Sequence, residues 1–124
     1  NDLQNQPELP QTVVDSAGYF FIKSDNMLVK ILLDDVLFVE GMQNYVTIYT
    51  STKKYISYLT VKSVEDYLPS DQFIKTHKSF IISAGRVDSI DGNEIRIGQH
   101  RIPLSRSLKE EVTEKLVKGK FLRR

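Results

Sequence analysis

A chain of 124 residues, 40% hydrophobic and 27% charged, is long enough for one domain with its own core and has the composition of an ordinary globular protein. It has no cysteine, which excludes disulfides, zinc–thiolate sites and thiol nucleophiles and fits a reducing cytoplasm, and no apolar run approaches the roughly 20 residues of a membrane span. The net charge of +1 hides a division: residues 1–50 carry two basic against seven acidic side chains (2 − 7 = −5), residues 51–124 fifteen against nine (15 − 9 = +6). Such a split points one face or end of the domain at a polyanion, unless the fold interleaves the halves.

The first 17 residues are polar, contain Pro7 and Pro10 and do not read as a signal peptide; they are expected to be an interdomain linker, with the domain itself over 18–124. Strands are predicted over Tyr19–Lys23 and Met27–Leu33 around a turn at Ser24-Asp25-Asn26, and again over Val36–Glu40 after Asp34-Asp35. Gly41-Met42-Gln43-Asn44 reads as a loop. Tyr45–Thr50 then alternates, with Val46 and Ile48 on one face and Tyr45, Thr47 and Tyr49 on the other, and Ser51-Thr52-Lys53 turns into Lys54–Tyr58. Thr60 is placed to cap a short helix over Val61–Leu68 that Pro69 ends.

Beyond a basic segment at residues 73–83, Arg86–Ile90 and Glu94–Ile97 are predicted to pair about Asp91-Gly92-Asn93, and Gly98-Gln99 is a two-residue turn into His100–Leu104. That turn sets Arg96 opposite Arg101, an unfavourable pairing that Glu94 relieves diagonally or an external anion does. The final segment reads as a helix opened by a Ser107-x-x-Glu110 capping box, with Leu108, Val112 and Leu116 on one side and a basic tail over Lys118–Arg124 that frays. The fold class that results is mainly β, with eight to ten short strands and one or two helices.

The basic segment, F-I-K-T-H-K-S-F-I-I-S over 73–83, carries the most information about function. Apolar residues at both ends anchor it, and the donors between them (Lys75, Thr76, His77, Lys78, Ser79) have no carboxylate among them to neutralise the charge. Such a cluster suits phosphates, although a buried strand with a solvated loop would read the same way. Two further connections carry candidate readers of bases. Gln43 and Asn44 offer amides that match adenine's donor–acceptor edge. Arg106, where the last strand meets the final helix, has the planar fork that takes guanine, and backbone N–H groups at a helix start favour a phosphate. Each also reads as an ordinary turn or cap. Catalysis has little to stand on: there is no G-x-S-x-G, H-E-x-x-H or phosphate-binding glycine loop, and two histidines without cysteine or a carboxylate-rich loop form no metal site. No enzyme activity, catalytic residue, cofactor or metal is expected.

In this order the segments resemble the LytTR family of bacterial DNA-binding domains. The resemblance runs from about Tyr19 to Leu116 and rests on Y-F-F-I-K-S-D (19–25), D-V-L-F-V-E-G-M-Q-N-Y-V-T-I-Y-T (35–50), L-P-S-D-Q-F-I-K-T-H-K-S-F-I-I-S (68–83) and I-P-L-S-R (102–106). Ser83 departs from it, standing where the family usually has asparagine. The resemblance implies an elongated arrangement of small antiparallel sheets with one or two short helices. It implies loops, rather than a recognition helix, entering successive major grooves of double-stranded promoter DNA, commonly with a second copy on repeat sites and with bending of the duplex. It further implies the output domain of a cytoplasmic two-component response regulator, behind an N-terminal receiver domain.

Carried over position by position, the base contacts fall to Gln43, Asn44, Tyr45, Lys78 and Arg106, and the phosphate contacts to Lys75, His77, Ser79 and Ser105. The contrasting expectation is a β-rich protein-interaction or dimerisation module without DNA binding, which would make its contacts through Tyr45, Tyr49, Tyr55 and Tyr58.

Overall fold

The structure is a computed structural model and describes residues 18–120. The linker expected over 1–17 and the end of the basic tail, 121–124, lie outside the described residues.

Strands β1 (Tyr19–Ser24) and β2 (Met27–Leu32) form a hairpin in which Ser24 faces Met27. Its two turn residues, Asp25 and Asn26, have φ of 53° and 62°; both in the left-handed region is what a type I′ turn demands, and Asp and Asn tolerate it best among residues with a side chain. A 3₁₀ turn at Leu33–Asp35 leads to β3 (Val36–Gly41), then β4 (Val46–Thr50) and β5 (Lys54–Ser57). Helix α1 (Val61–Tyr67) begins where the sequence predicts: the Thr60 hydroxyl accepts the Ser63 N–H at 3.1 Å, a cap worth about 1 kcal/mol. Strands β6 (Phe73–His77) and β7 (Phe80–Ser83) complete a five-stranded antiparallel sheet in the order β5-β4-β3-β7-β6. Then come β8 (Ser89–Asp91), β9 (Glu94–Ile97) and β10 (His100–Pro103), a three-stranded meander, and α2 (Lys109–Val117).

The five-stranded sheet is the middle layer; its inner strands β3 and β7 are mostly apolar because both of their faces are covered, whereas the edge strand β5 leaves Lys54 and Ile56 exposed. On one face Val39, Val46, Ile48, Phe73 and Ile81 pack with Phe20, Ile22 and Ile31 of the hairpin and Val64 and Leu68 of the α1 region. On the other, Phe38, Ile74 and Ile82 pack with Ile95, Ile97, Ile102, Leu104 and Val112. A bulge between Val36 and Phe38 lets these two residues, two apart, serve opposite cores.

Three expectations are corrected. Residues Ala84–Arg86 coil into a 3₁₀ turn rather than opening a strand; there the Arg86 guanidinium donates to the Asp34 carbonyl at 2.5 Å. The Ser107 capping box does not form, because Arg106–Leu108 is a 3₁₀ turn closed by the Leu108 N–H on the Ser105 carbonyl (3.0 Å), which leaves Ser107 inside a turn and not in the extended conformation a cap requires. The acidic and basic halves are interleaved rather than separated, since β3 and β4 lie between β5 and β7.

The Gly98-Gln99 turn is as expected: Gly98 has φ of 61°, Ile97 faces His100 and Arg96 faces Arg101. Glu94 supplies the relief, its carboxylate 3.9 Å from Arg101 Nε.

Candidate nucleic-acid interface

Three connections carry the proposed contact residues, and the main chain ties them to one another. The β3–β4 loop joins the β6–β7 turn through the Gly41 N–H, which donates to the Ser79 carbonyl at 2.7 Å. Strand β6 joins the β10–α2 connection through the Ser105 N–H, which donates to the Thr76 carbonyl, also at 2.7 Å. Gln43 and Asn44, Lys78, and Arg106 are therefore presented from neighbouring connections on one tied frame, and all four are exposed.

Local chemistry explains each shape. In the first loop the Met42 N–H donates to the Tyr45 carbonyl at 2.8 Å, closing a turn with Gln43 and Asn44 at its tip, while Tyr45 is half-buried. At its root, Gly41 is buried, and a β-carbon there would fall on Val61 Cγ2 of α1; only glycine lets the strand pass this close to the helix. In the second connection Lys78 and Ser79 are the turn residues, with His77 facing Phe80. His77 accepts the Ser79 N–H on Nδ1 at 3.2 Å and lies edge-on to Phe80, 5.8 Å between ring centres, so its ring is held in place by the turn. Strand β6 bulges between Lys75 and His77, and Thr76 is the extra residue; it is fully buried, and its hydroxyl has no hydrogen-bond partner among the described residues. In the third connection the Ser105 and Ser107 hydroxyls lie 3.0 Å apart beside Arg106.

Electrostatics sorts the cations. Among the described residues neither Lys78 nor Arg106 takes part in an ion pair; the pairs found are Lys62–Asp66, Lys75–Glu65, Arg101–Glu94 and Lys115–Glu111. Lys75 differs from Lys78 and Arg106: it is half-buried, and its Nζ is 3.6 Å from Glu65 of α1, so a charge expected for a phosphate already has a partner within the fold. Glu40, the acid at the end of β3, is engaged by the Tyr49 hydroxyl at 3.3 Å, and that phenol is stacked on Phe38 with 4.3 Å between ring centres. Burial first, then the Glu40 charge and its hydrogen bond, raise the Tyr49 phenol above its ordinary pKa.

Of the tyrosines on which a protein-interaction surface would depend, Tyr58 is 83% exposed, whereas Tyr45, Tyr49 and Tyr55 are half-buried. Among the described residues no group of three or more His, Asp or Glu side chains could hold a metal ion, and no helix is long and apolar enough to cross a membrane. Sequence reasoning missed two contributors to the frame, the Ser79 carbonyl and the close contact at Gly41. Neither leaves a side-chain signal beyond the glycine itself.

The family model of the LytTr DNA-binding domain matches residues 26–117, which include all three connections. Over 101 residues the chain is 28% identical to the sensory transduction protein LytT of Enterococcus faecalis, an alignment that takes in 77% of this chain and 42% of that protein, so the chain spans about two fifths of the relative's length. Among solved structures, a LytTr DNA-binding domain from Bacillus cereus superposes with a TM-score of 0.68 at 20% identity, covering 81% of this chain and 96% of the other; this likeness speaks to the fold alone. With the family match across most of the chain and the same arrangement of small antiparallel sheets, this chain belongs to the family of LytTr DNA-binding domains.

Proposed function

We propose that the domain binds double-stranded promoter DNA sequence-specifically, as the output module of a cytoplasmic bacterial response regulator whose receiver domain lies N-terminal to it. The observation that carries this reading is the frame described above: exposed amide and cationic side chains, with no ion-pair partner among the described residues, on three connections joined by the Gly41–Ser79 and Ser105–Thr76 hydrogen bonds. Gln43, Asn44, Lys78 and Arg106 read bases in successive major grooves, with Tyr45 bracing the first loop at its edge. His77, Ser79 and Ser105 fix the register on the phosphates, and Lys75 joins them by exchanging Glu65 for the backbone. A second copy occupies the neighbouring repeat, and bending of the duplex adds to selectivity. The relative LytT, named as a sensory transduction protein, is in keeping with such a role.

A mobility-shift series on random-sequence and selected duplexes at two salt concentrations tests the reading. The expected result is tight binding to the selected duplex, with affinity for both duplexes falling steeply as salt rises. Binding that ignores salt, or no shift on duplex DNA beside tight capture of a protein, would return the domain to the interaction-module reading.

A further inference from the structure

Met42 shares its loop with Gln43 and Asn44, yet it brings neither the charge nor the strong donors and acceptors of the other proposed readers, and the fold leaves the residue 47% exposed. The loop has little freedom to withdraw it. On one side Gly41 is held by the Ser79 carbonyl at 2.7 Å, with Val61 pressed against its α-carbon. Met42's own N–H is committed to the Tyr45 carbonyl at 2.8 Å. An apolar, polarisable side chain is thus held in water next to two amides.

The chemistry of the major groove gives that neighbourhood a meaning. An amide that takes adenine's N6 and N7 leaves one further feature of the A·T pair uncovered, the thymine C5-methyl, and an apolar side chain is what such a methyl accepts. A flexible thioether adapts to the methyl's position as the amide beside it fixes the adenine. We propose that Met42 is a specificity-determining residue that covers a thymine C5-methyl group beside the adenine read by Gln43 or Asn44. The proposal rests on the DNA-binding reading and adds to it the class of base pair that the first loop selects.

The test begins with selection of duplexes from a random library by the 124-residue chain. Each thymine of the enriched sequence is then replaced in turn by deoxyuridine, which lacks only the methyl group. Wild-type protein is expected to lose roughly fourfold in affinity at one thymine, the value of one buried methyl group. Met42→Ala is expected to bind the thymine and uracil duplexes alike, and Met42→Leu to keep the discrimination. Tolerance of deoxyuridine at every position overturns the proposal while leaving the domain a DNA binder. So does a Met42→Ala protein that still discriminates, or one that loses the same factor on both duplexes, as a side chain wedged between base steps would. Failure to enrich any sequence removes the DNA-binding reading and this proposal with it.

Discussion

The Ser105 N–H and the Thr76 carbonyl meet at 2.7 Å, and through this one bond the strand leading to Lys78 holds the connection that carries Arg106. Thr76 makes the contact from a bulge, with its side chain fully buried and its hydroxyl unpartnered among the described residues. A buried hydroxyl without a partner costs about 1–3 kcal/mol. Thr76→Val keeps the shape and the carbonyl and removes the hydroxyl. It is expected to raise stability in urea denaturation by about 1 kcal/mol, with DNA affinity unchanged. A destabilised variant would mean that the hydroxyl has a partner in solution, such as a buried water.

Lys78 and Arg106 differ in chemistry and should differ in what their loss does. Arg106→Ala is expected to cost roughly 1–3 kcal/mol on the preferred duplex and to relax selection at one base position. Lys78→Ala should lower the salt slope by about one if the lysine meets a phosphate, and leave the slope while relaxing a base if it meets a guanine. Affinity on scrambled and selected duplexes at several salt concentrations separates these outcomes. Lys75 provides the contrast, because Glu65 competes for it at 3.6 Å. Glu65→Gln is expected to strengthen binding to every sequence by a similar small factor.

Gly41→Ala tests the close approach of β3 to α1. The added methyl would fall on Val61 Cγ2, so the helix start or the loop root has to move. Overpacking of this kind costs about 1–3 kcal/mol. The variant should unfold at lower denaturant, and where it is folded it should bind more weakly than wild type, because the Gly41–Ser79 bond joins two of the three connections. Shortening the neighbour with Val61→Ala in the same chain should recover much of the loss.

Tyr49 gives the fold a pH dependence on its alkaline side. Its phenol is raised by burial and by Glu40, so the folded state holds this proton more tightly than the unfolded chain does. The sign follows: this contribution is complete below the ordinary phenol pKa of about 10 and is lost as pH rises through the raised value. In a spectrophotometric titration of the folded protein, Tyr49→Phe should remove a phenol that ionises later than the ordinary range. If the variant's curve lacks an early-titrating phenol instead, the assignment of Tyr49 fails.

What was legible in the sequence was what short-range chemistry decides. Asp25-Asn26 and Gly98-Gln99 announce their turns because few residues accept a positive φ, and Thr60 announces the helix start because its hydroxyl sits three residues from the N–H it caps. The alternation at 45–50 placed Val46 and Ile48 on a shared face, and both are fully buried there. Errors arose where a distant contact decides. Arg86 coils toward the Asp34 carbonyl 52 positions away, and Ser107 lies in a turn whose approach is fixed at Thr76. The Lys75–Glu65 contact, which leaves the phosphate role proposed for Lys75 standing, was equally hidden, because it arises only where α1 lies over one face of the sheet. The candidate contact residues stood out by type, as cations and amides in loops; the bonds that join their loops are main-chain bonds and carry no residue signature.

Those main-chain bonds separate scaffold from preference. Gln43, Asn44, Lys78 and Arg106 make no contribution to the two bonds that hold their loops side by side. If the four read bases as proposed, exchanging any of them leaves the scaffold standing while altering the operator it favours. On that proposed reading a handful of substitutions would retarget the domain, and duplicated copies would diverge in the duplexes they prefer without first having to refold.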